Sequence, residues 1–293
     1  MKNLIFSGVA TALATPFDET GINTKEFSKF INFQIASGIN AIVVCGTTGE
    51  AATMNHSERN IAIKCAISAV NNKIPVIVGT GSNNTKTAIE LSIEAEELGA
   101  DALLVVTPYY NKTTQNGLIE HFKLIASSVS IPIILYNVPS RTGINILPET
   151  CLELSKIPNI VGIKEASGDI SQIAKIASLC GNNLTIYSGN DDQTLPILSL
   201  GGKGVISVLS NVAPKLTCSI TNAFFKNAID EACYYQLTSL ELINNLFAET
   251  NPIPIKEALN IINFDFGTPR LPLVKCSYDL KKQLEILIKK FDL

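Results

Sequence analysis

The sequence has only two histidines among 293 residues, few charged residues and no long apolar run, and each shortage excludes a class of protein. His56 and His121 lie far apart along the chain and offer little for a zinc site. Charged residues make up 17% and the formal net charge is −3, so we expect no nucleic-acid partner and no anionic-membrane partner. No apolar run approaches the ~20 residues that a membrane-spanning helix needs.

Seven cysteines are present, and they form neither a C-x-x-C pair nor a spacing typical of metal ligands. Buried free thiols in a reducing compartment are the better interpretation, which predicts a cytoplasmic protein. Secretion is the less favoured alternative. The apolar stretch near the N-terminus imitates a short signal peptide, but Ser7, Gly8 and Thr11 interrupt it.

Hydrophobic residues make up 46% of the chain, which excludes a disordered protein, and their pattern alternates along the sequence. Short apolar runs bounded by Gly, Pro or Asn are typical of parallel strands buried on both faces. The runs cover residues 8–14, 41–45, 75–79, 102–107, 132–137, 160–165, 184–188 and 204–208. Eight such runs, each followed by a helical stretch, predict an α/β fold of the (β/α)8 TIM barrel type. An open doubly wound sheet is the alternative.

Amphipathic stretches between these runs predict helices. They cover residues 25–37, 56–71, 85–98, 117–129, 148–155 and 170–179. After Pro214 the strand signals stop, and the pattern predicts helices over 217–226, 230–247, 254–264 and 277–291. We therefore predict a catalytic barrel over residues 1–224 and a C-terminal helical region over residues 225–293 that packs on the barrel.

Lys164 is the only lysine embedded in a predicted strand. Functional residues of such barrels lie at the C-terminal ends of the strands, where the sixth run places this lysine. Because desolvation favours the neutral form of an amine, a buried lysine can act as a nucleophile at neutral pH. The alternative is a lysine that reaches out of the barrel and pairs with a carboxylate such as Glu165.

The fifth run ends at Tyr136 and continues into a loop that contains Arg141. A phenol close to a nucleophilic amine can act as a general acid or base. A guanidinium group offers a planar pair of donors to a carboxylate. The alternatives are a core tyrosine and a surface arginine.

Polar and aromatic residues also follow the second and fourth runs. Thr47 and Thr48 lie on a turn between closely spaced glycines, which suits carboxylate binding by backbone N–H groups and hydroxyls. An ordinary turn, in which Glu50 caps the following segment, is the alternative. Tyr109 and Tyr110 follow the fourth run and belong either to the functional rim or to an aromatic packing or interface patch.

Three longer motifs resemble those of the 4-hydroxy-tetrahydrodipicolinate synthase (dihydrodipicolinate synthase) family, which belongs to the pyruvate-dependent class I aldolases. They are Gly46-Thr47-Thr48-Gly49-Glu50, Tyr136-Asn137-Val138-Pro139-Ser140-Arg141-Thr142-Gly143 and Gly162-Ile163-Lys164-Glu165-Ala166-Ser167-Gly168. The resemblance covers essentially the whole chain and includes Asn251-Pro252-Ile253-Pro254-Ile255-Lys256 in the C-terminal region. The sister N-acetylneuraminate lyases resemble the chain at Tyr136 and Lys164 but usually lack an arginine at the place of Arg141.

The resemblance implies a lyase of the diaminopimelate route to lysine, with pyruvate and L-aspartate 4-semialdehyde as its substrates. Lys164 would form a Schiff base with pyruvate, and Tyr136 would be the general acid or base. Thr47 and Tyr110 would complete a proton relay, with Tyr110 supplied by a neighbouring subunit of a homotetramer built as a dimer of dimers. The resemblance implies no metal and no organic cofactor, because the lysine itself provides the electron sink.

The same resemblance implies the substrate-binding residues. Thr48, together with backbone groups around Thr47 and Ile206, would hold the carboxylate of pyruvate. Gly189 would belong to the same binding set. Arg141 would hold the carboxylate of the semialdehyde.

One departure from the family pattern concerns inhibition by lysine. The inhibitor site of many members has a serine, a pair of histidines and a glutamate. In this sequence Ala51 replaces the serine, Arg59 replaces the second histidine and Thr87 replaces the glutamate. Because the carboxylate that would meet the ammonium group of the inhibitor is missing and Arg59 adds like charge, we predict weak or absent inhibition by lysine.

Three other functions remain as alternatives. One is a pyruvate-type lyase of the same superfamily that acts on a sugar acid, and another is a non-catalytic barrel that binds a small acid. The third is a dinucleotide-dependent oxidoreductase, suggested by Gly79-Thr80-Gly81-Ser82-Asn83-Asn84 after the third run. This stretch has Asn84 where the fingerprint requires its third glycine, so nucleotide binding is the least favoured.

Overall fold

The apolar runs of the sequence form strands in the computed structural model of the protein, which describes residues 4–293. Nearly all residues of the longer strands are buried, because a parallel strand in such a fold is covered on both faces. The strands are β1 (Gly8–Ala12), β2 (Phe17–Asp18), β3 (Gly21–Ile22), β4 (Ala41–Val44), β5 (Val76–Gly79), β6 (Ala102–Val106), β7 (Ile133–Asn137), β8 (Ile160–Glu165), β9 (Thr185–Ser188) and β10 (Gly204–Ser207).

The helices follow the predicted amphipathic stretches, most of them to within a few residues at each end. They are α1 (Thr24–Ala36), α2 (His56–Val70), α3 (Thr85–Glu97), α4 (Gln115–Ser127), α5 (Pro139–Thr142), α6 (Pro148–Leu154), α7 (Ile170–Cys180), α8 (Thr194–Ser199), α9 (Pro214–Phe225), α10 (Ile229–Leu246), α11 (Ile253–Ile261) and α12 (Tyr278–Lys290). The pattern did not predict α5 and α8, because four and six residues are too few to show a helical period.

The eight longer strands form one closed barrel in the order β1-β10-β9-β8-β7-β6-β5-β4. This confirms the predicted (β/α)8 barrel and excludes the open sheet. Strands β2 and β3 form a separate antiparallel pair that the sequence pattern did not predict. Helices α10 to α12 form the C-terminal helical region, and the boundary between residues 224 and 225 stays a prediction.

By its internal contacts the chain divides into two units. The first contains Ile77–Ile206 and residues 4–7, and the second contains Gly8–Val76 and Ser207–Leu293. In the first unit, β7, β8 and β9 are in register so that Tyr136, Lys164 and Tyr187 lie side by side. Side chains in register on neighbouring strands point to the same face of the sheet.

In the second unit, polar side chains join distant segments. Gln34 of α1 donates through Nε2 to the backbone oxygens of Ser210 (3.1 Å) and Asn211 (3.0 Å), and it accepts from the hydroxyl of Thr11 on β1 (2.9 Å). Asn55 caps α2 in a reciprocal capping box with Glu58. The capping box fixes the start of α2, which is close in sequence to the turn that follows β4.

All seven cysteines are free, as predicted, but the expectation that they are buried holds for four of them and is wrong for Cys65, Cys233 and Cys276, which are partly exposed. None of the helices within residues 4–293 is both long enough and apolar enough to cross a membrane.

Candidate active site

Strands β7 and β8 place Tyr136 and Lys164 next to each other, as the sequence predicted. The two residues are register partners, and Lys164 Nζ lies 4.4 Å from the centroid of the Tyr136 ring. Both side chains are buried, Lys164 at 5% exposure and Tyr136 at 7%. A primary amine and a phenol are therefore held together at the C-terminal end of the strands, where barrels of this type carry out their chemistry.

Glu165 does not pair with Lys164. Successive side chains of a strand point to opposite faces, so the carboxylate lies on the other side of β8. There it accepts hydrogen bonds from Asn137 Nδ2 (2.9 Å) and Gln172 Nε2 (3.1 Å). Burial raises the pKa of Glu165, and these hydrogen bonds oppose the rise. Within residues 4–293, Lys164 forms no ion pair, which leaves its amine available for chemistry.

Gly189 directly follows β9, the strand next to that of Lys164, and Ile206 lies on β10, one strand further along the barrel. A Cβ atom at Gly189 would come within 3.1 Å of Lys164 Cε and 2.6 Å of Ala166 Cβ, so only glycine fits here without displacing its neighbours. Ile206 is one residue beyond Val205, the register partner of Ser188, and is therefore level with Gly189. The structure thus brings both predicted substrate-binding residues to the same strand ends as Lys164.

Arg141 lies on the short helix α5, directly after β7, and is exposed. Helix α5 ends at Thr142 and is capped by Gly143, which has a φ of 71°. The position suits a guanidinium group that binds an anion from solvent. Arg141 thus lies in the segment after Tyr136, as expected, but on a short helix rather than in a loop.

Tyr110 combines a strained backbone with an almost fully exposed ring. Its φ is 71°, in the left-handed region that a bulky residue rarely adopts, and its exposure is 92%. Strain of this kind clusters at functional sites. Tyr110 is therefore not part of a buried cluster within its own unit, unlike Tyr136.

Thr47 and Thr48 lie on a turn that follows β4 in the second unit. The turn is closed by hydrogen bonds from the Gly49 amide to the Gly46 oxygen and from the Glu50 amide to the Thr47 oxygen, both 3.1 Å. Thr47 is exposed, whereas Thr48 is buried at 3% exposure. The two hydroxyls therefore have different surroundings although they are adjacent in sequence.

Glu50 is part of a buried ion pair that the sequence pattern did not reveal. Its carboxylate accepts from Lys256 Nζ (2.9 Å) and from the backbone amide of Arg270 (2.8 Å). It makes no side-chain cap, so the alternative interpretation of Glu50 as a cap is wrong. Burial lowers the pKa of Lys256, and the charge of Glu50 opposes this effect.

The partners of this turn lie far along the chain. Asn251 donates through Nδ2 to Thr48 Oγ1 at 3.0 Å, across 203 residues. Asn251 and Lys256 occur in a motif that resembles the family pattern, but no local feature of the sequence indicates their contacts. Nowhere in residues 4–293 is a group of three or more His, Cys, Asp or Glu arranged to hold a metal ion.

Known proteins resemble this chain over nearly its whole length. A sequence model of the Dihydrodipicolinate synthetase family matches residues 5–291. A 4-hydroxy-tetrahydrodipicolinate synthase from Clostridium acetobutylicum is 57% identical over 277 residues, which cover 94% of each protein. A solved chloride-inhibited dihydrodipicolinate synthase from Acinetobacter baumannii, complexed with pyruvate, is 39% identical with a TM-score of 0.95 and 99% coverage of both chains. A monomeric dihydrodipicolinate synthase variant is 43% identical with a TM-score of 0.97, covering 99% of this chain and 98% of the other.

Proposed function

The chain belongs to the Dihydrodipicolinate synthetase family, and we propose that Lys164 is the residue through which it carries out the reaction of this family. The protein is a lyase of the class I aldolase type. It condenses pyruvate with L-aspartate 4-semialdehyde, the 4-hydroxy-tetrahydrodipicolinate synthase step of the diaminopimelate route to lysine.

The chemistry begins with an amine and a ketone. The nitrogen of Lys164 adds to the ketone carbon of pyruvate, and water leaves to give a protonated imine. The imine withdraws electrons from the adjacent methyl group, which loses a proton and becomes an enamine. The enamine carbon then attacks the aldehyde carbon of the semialdehyde, whose oxygen takes up a proton to become a hydroxyl, and the imine with Lys164 forms again. The amine of the semialdehyde finally displaces Lys164 from the imine, which closes the ring of the product and restores the lysine.

The buried amine beside Tyr136 is the observation that carries this proposal. An amine 4.4 Å from the centroid of a phenol ring and without a carboxylate partner within residues 4–293 can add to a carbonyl, and the phenol is the titratable side chain next to it. Tyr136 therefore acts as the general acid and base. Gly189, which lies against Lys164, and Ile206, on the second strand from it, complete the pyruvate site.

Two flanking residues bind the carboxylates. Thr48 holds the carboxylate of pyruvate, and Arg141 holds the carboxylate of the semialdehyde. The exposure of Arg141 on α5 and the polar turn of Thr48 support these roles. Arginine binds a carboxylate through two parallel hydrogen bonds, which fixes the orientation of the substrate as well as its place.

Borohydride reduction tests the proposed nucleophile. With pyruvate present, reduction traps the imine, and intact-mass and peptide analysis should show the added mass on Lys164. Incubation with N-acetylneuraminate serves as the substrate control, because a sugar-acid lyase would be labelled by that compound as well. A protein labelled at another lysine, or not labelled by pyruvate, would contradict the proposal.

Tyr110 supports a further part of the proposal, the homotetramer. Thr47 and Tyr110 relay protons to Tyr136, and Tyr110 comes from a neighbouring subunit of a dimer of dimers. A tyrosine that enters the site of a neighbouring subunit should be exposed when its own chain is considered alone. Tyr110 is almost fully exposed and has a strained backbone, which supports this role. Sedimentation velocity together with activity over a dilution series tests this, because activity should fall as the dimer dissociates.

Weak or absent inhibition by lysine is proposed from the residues at the inhibitor positions. Ala51, Arg59 and Thr87 replace the serine, histidine and glutamate of the family pattern. Without the glutamate, no carboxylate meets the ammonium group of the inhibitor. Half-maximal inhibition at sub-millimolar lysine in a steady-state assay would refute this, and Thr87→Glu together with Arg59→His should increase the sensitivity.

A further inference from the structure

We infer that Asn251, in the C-terminal region, is a positioning residue that turns the Thr48 hydroxyl toward the carboxylate of pyruvate. The inference rests on the proposed function, in which Thr48 binds that carboxylate. Asn251 itself does not touch the substrate. It acts by deciding which way a hydroxyl proton points.

The orientation follows from the hydrogen bond between the two side chains. A threonine hydroxyl has one proton to donate and two lone pairs to accept with, whereas the amide nitrogen of asparagine can only donate. Asn251 Nδ2 donates to Thr48 Oγ1 at 3.0 Å, so the hydroxyl proton cannot point toward Asn251. Both residues are buried, Thr48 at 3% and Asn251 at 5% exposure. Among the residues that the structure describes, the Thr48 hydroxyl donates no hydrogen bond, so its proton remains available for an anion.

A buried ion pair holds the same two segments together a short distance away. Lys256 lies in the first turn of α11, five residues after Asn251, and Glu50 lies two residues after Thr48. Lys256 Nζ is 2.9 Å from Glu50 Oε1, and the two side chains are 0% and 1% exposed. Removal of either partner leaves an uncompensated buried charge, so α11 cannot easily shift relative to the turn.

The second oxygen of Glu50 is also satisfied by the C-terminal region. It accepts from the backbone amide of Arg270 at 2.8 Å, and the guanidinium of Arg270 forms an ion pair with Glu58 at the start of α2. The centroid of the Phe17 ring lies 4.6 Å from Lys256 Nζ and 3.9 Å from Arg270 Cζ. Cations over an aromatic face are stabilised by the ring electrons. The turn is therefore anchored from several sides, which keeps Asn251 in reach of Thr48.

Asn251→Asp tests the inference with almost no change in side-chain size. A carboxylate can only accept hydrogen bonds, so the Thr48 hydroxyl would donate to it. The hydroxyl proton would then point toward residue 251 and away from the substrate. We expect KM for pyruvate to rise about ten- to hundredfold, the loss expected for a hydrogen bond to a charged group. We expect KM for the semialdehyde to change little, whereas the thermal midpoint should fall because a buried carboxylate without a cationic partner is costly. Asn244→Asp makes the same chemical change on an exposed position of α10 and should leave all of these values unchanged.

A double-mutant cycle separates this role from a general effect of negative charge. In a Thr48→Val background there is no hydroxyl to turn, so Asn251→Asp should have little further effect on KM for pyruvate. Additive effects of the two substitutions would overturn the inference, and so would an unchanged KM in Asn251→Asp. Should Asn251→Asp fold poorly, Asn251→Ser provides the second variant. This variant should also raise KM for pyruvate, by a smaller factor, when Thr48 is present. It should have no such effect in the Thr48→Val background.

The same measurements distinguish failure of the inference from failure of the proposed function. Wild-type protein that is trapped on Lys164 by pyruvate, together with an unchanged KM in Asn251→Asp, overturns the inference alone. Wild-type protein that is not trapped at all overturns the proposed function and the inference with it.

Discussion

Two lysine side chains are buried within residues 4–293, and their surroundings differ. Lys256 lies 2.9 Å from the carboxylate of Glu50 and also donates to the Thr268 oxygen at 3.3 Å. Lys164 lies against the ring of Tyr136 and has no carboxylate within ion-pair distance among the described residues. A buried charge is expensive unless it is paired. The comparison teaches that burial alone does not make a lysine reactive. A carboxylate partner holds the nitrogen in an ion pair, and without one the nitrogen is available for reaction.

Substitution of methionine for each buried lysine should have its largest effect on activity at Lys164. Lys164→Met removes the nitrogen and keeps a side chain of similar length, so borohydride trapping and turnover should both disappear. Because this side chain makes no ion pair in the described residues, the thermal midpoint should stay close to that of the wild type. Remaining pyruvate adduct on the variant would show that another amine does the chemistry.

Tyr136→Phe should give the next largest effect. The ring beside Lys164 stays in place, and only the phenolic oxygen is lost. We expect the turnover number to fall by about 10²–10⁴, the usual contribution of a general acid or base. Steady-state kinetics measure this, and trapping at long incubation times serves as the control for an intact nucleophile. Near-full activity would remove Tyr136 from the mechanism.

Lys256→Met should act on stability rather than on the nucleophile. It leaves Glu50 buried and unpaired, which costs about 3–5 kcal/mol in the free energy of unfolding. The folded fraction should still be trapped by pyruvate on Lys164. The double variant Lys256→Met with Glu50→Gln removes both charges and should recover much of the loss, as measured by denaturant unfolding. A Lys256→Met protein with wild-type stability would show that the pair contributes little.

A third buried base, His121, extends the comparison to pH. Its Nδ1 lies 2.9 Å from the Thr85 hydroxyl, and its Nε2 has no partner in the described residues. Burial lowers the pKa of His121 from 6.5 to about 4. Between these values the unfolded chain binds the proton and the folded chain does not, so stability is present at neutral pH and is lost as the pH falls from 6.5 toward 4. The loss is at most about 3 kcal/mol, and solvent screening reduces it.

His121→Gln tests this smallest effect. Glutamine does not titrate, so the variant should lose less stability than the wild type over this pH range. Denaturant unfolding at several pH values measures the difference. Parallel pH profiles for the two proteins would show that His121 remains neutral or becomes protonated equally in both states.

The barrel and the proposed catalytic pair, Tyr136 and Lys164, could be predicted from the sequence because their signals are local. Each apolar run between Gly, Pro or Asn residues became a strand, since a strand buried on both faces must be apolar throughout. The strand ends follow from the ends of the runs, so the sequence pattern alone predicts that Tyr136 and Lys164 lie on one rim. The pair of strands β2 and β3 was missed because two residues are too few to show a period.

The sequence by itself determined the barrel, the position of Lys164 at a strand end and the resemblance to a family of pyruvate-dependent enzymes. Only the tertiary structure decided which buried lysine is paired, that Glu165 faces away from Lys164, and that Asn251 meets Thr48 across 203 residues. The physical reason is that hydrophobic periodicity depends on residues that are neighbours in the sequence. A buried polar group, in contrast, can form its hydrogen bond with any side chain that folding brings within about 3 Å.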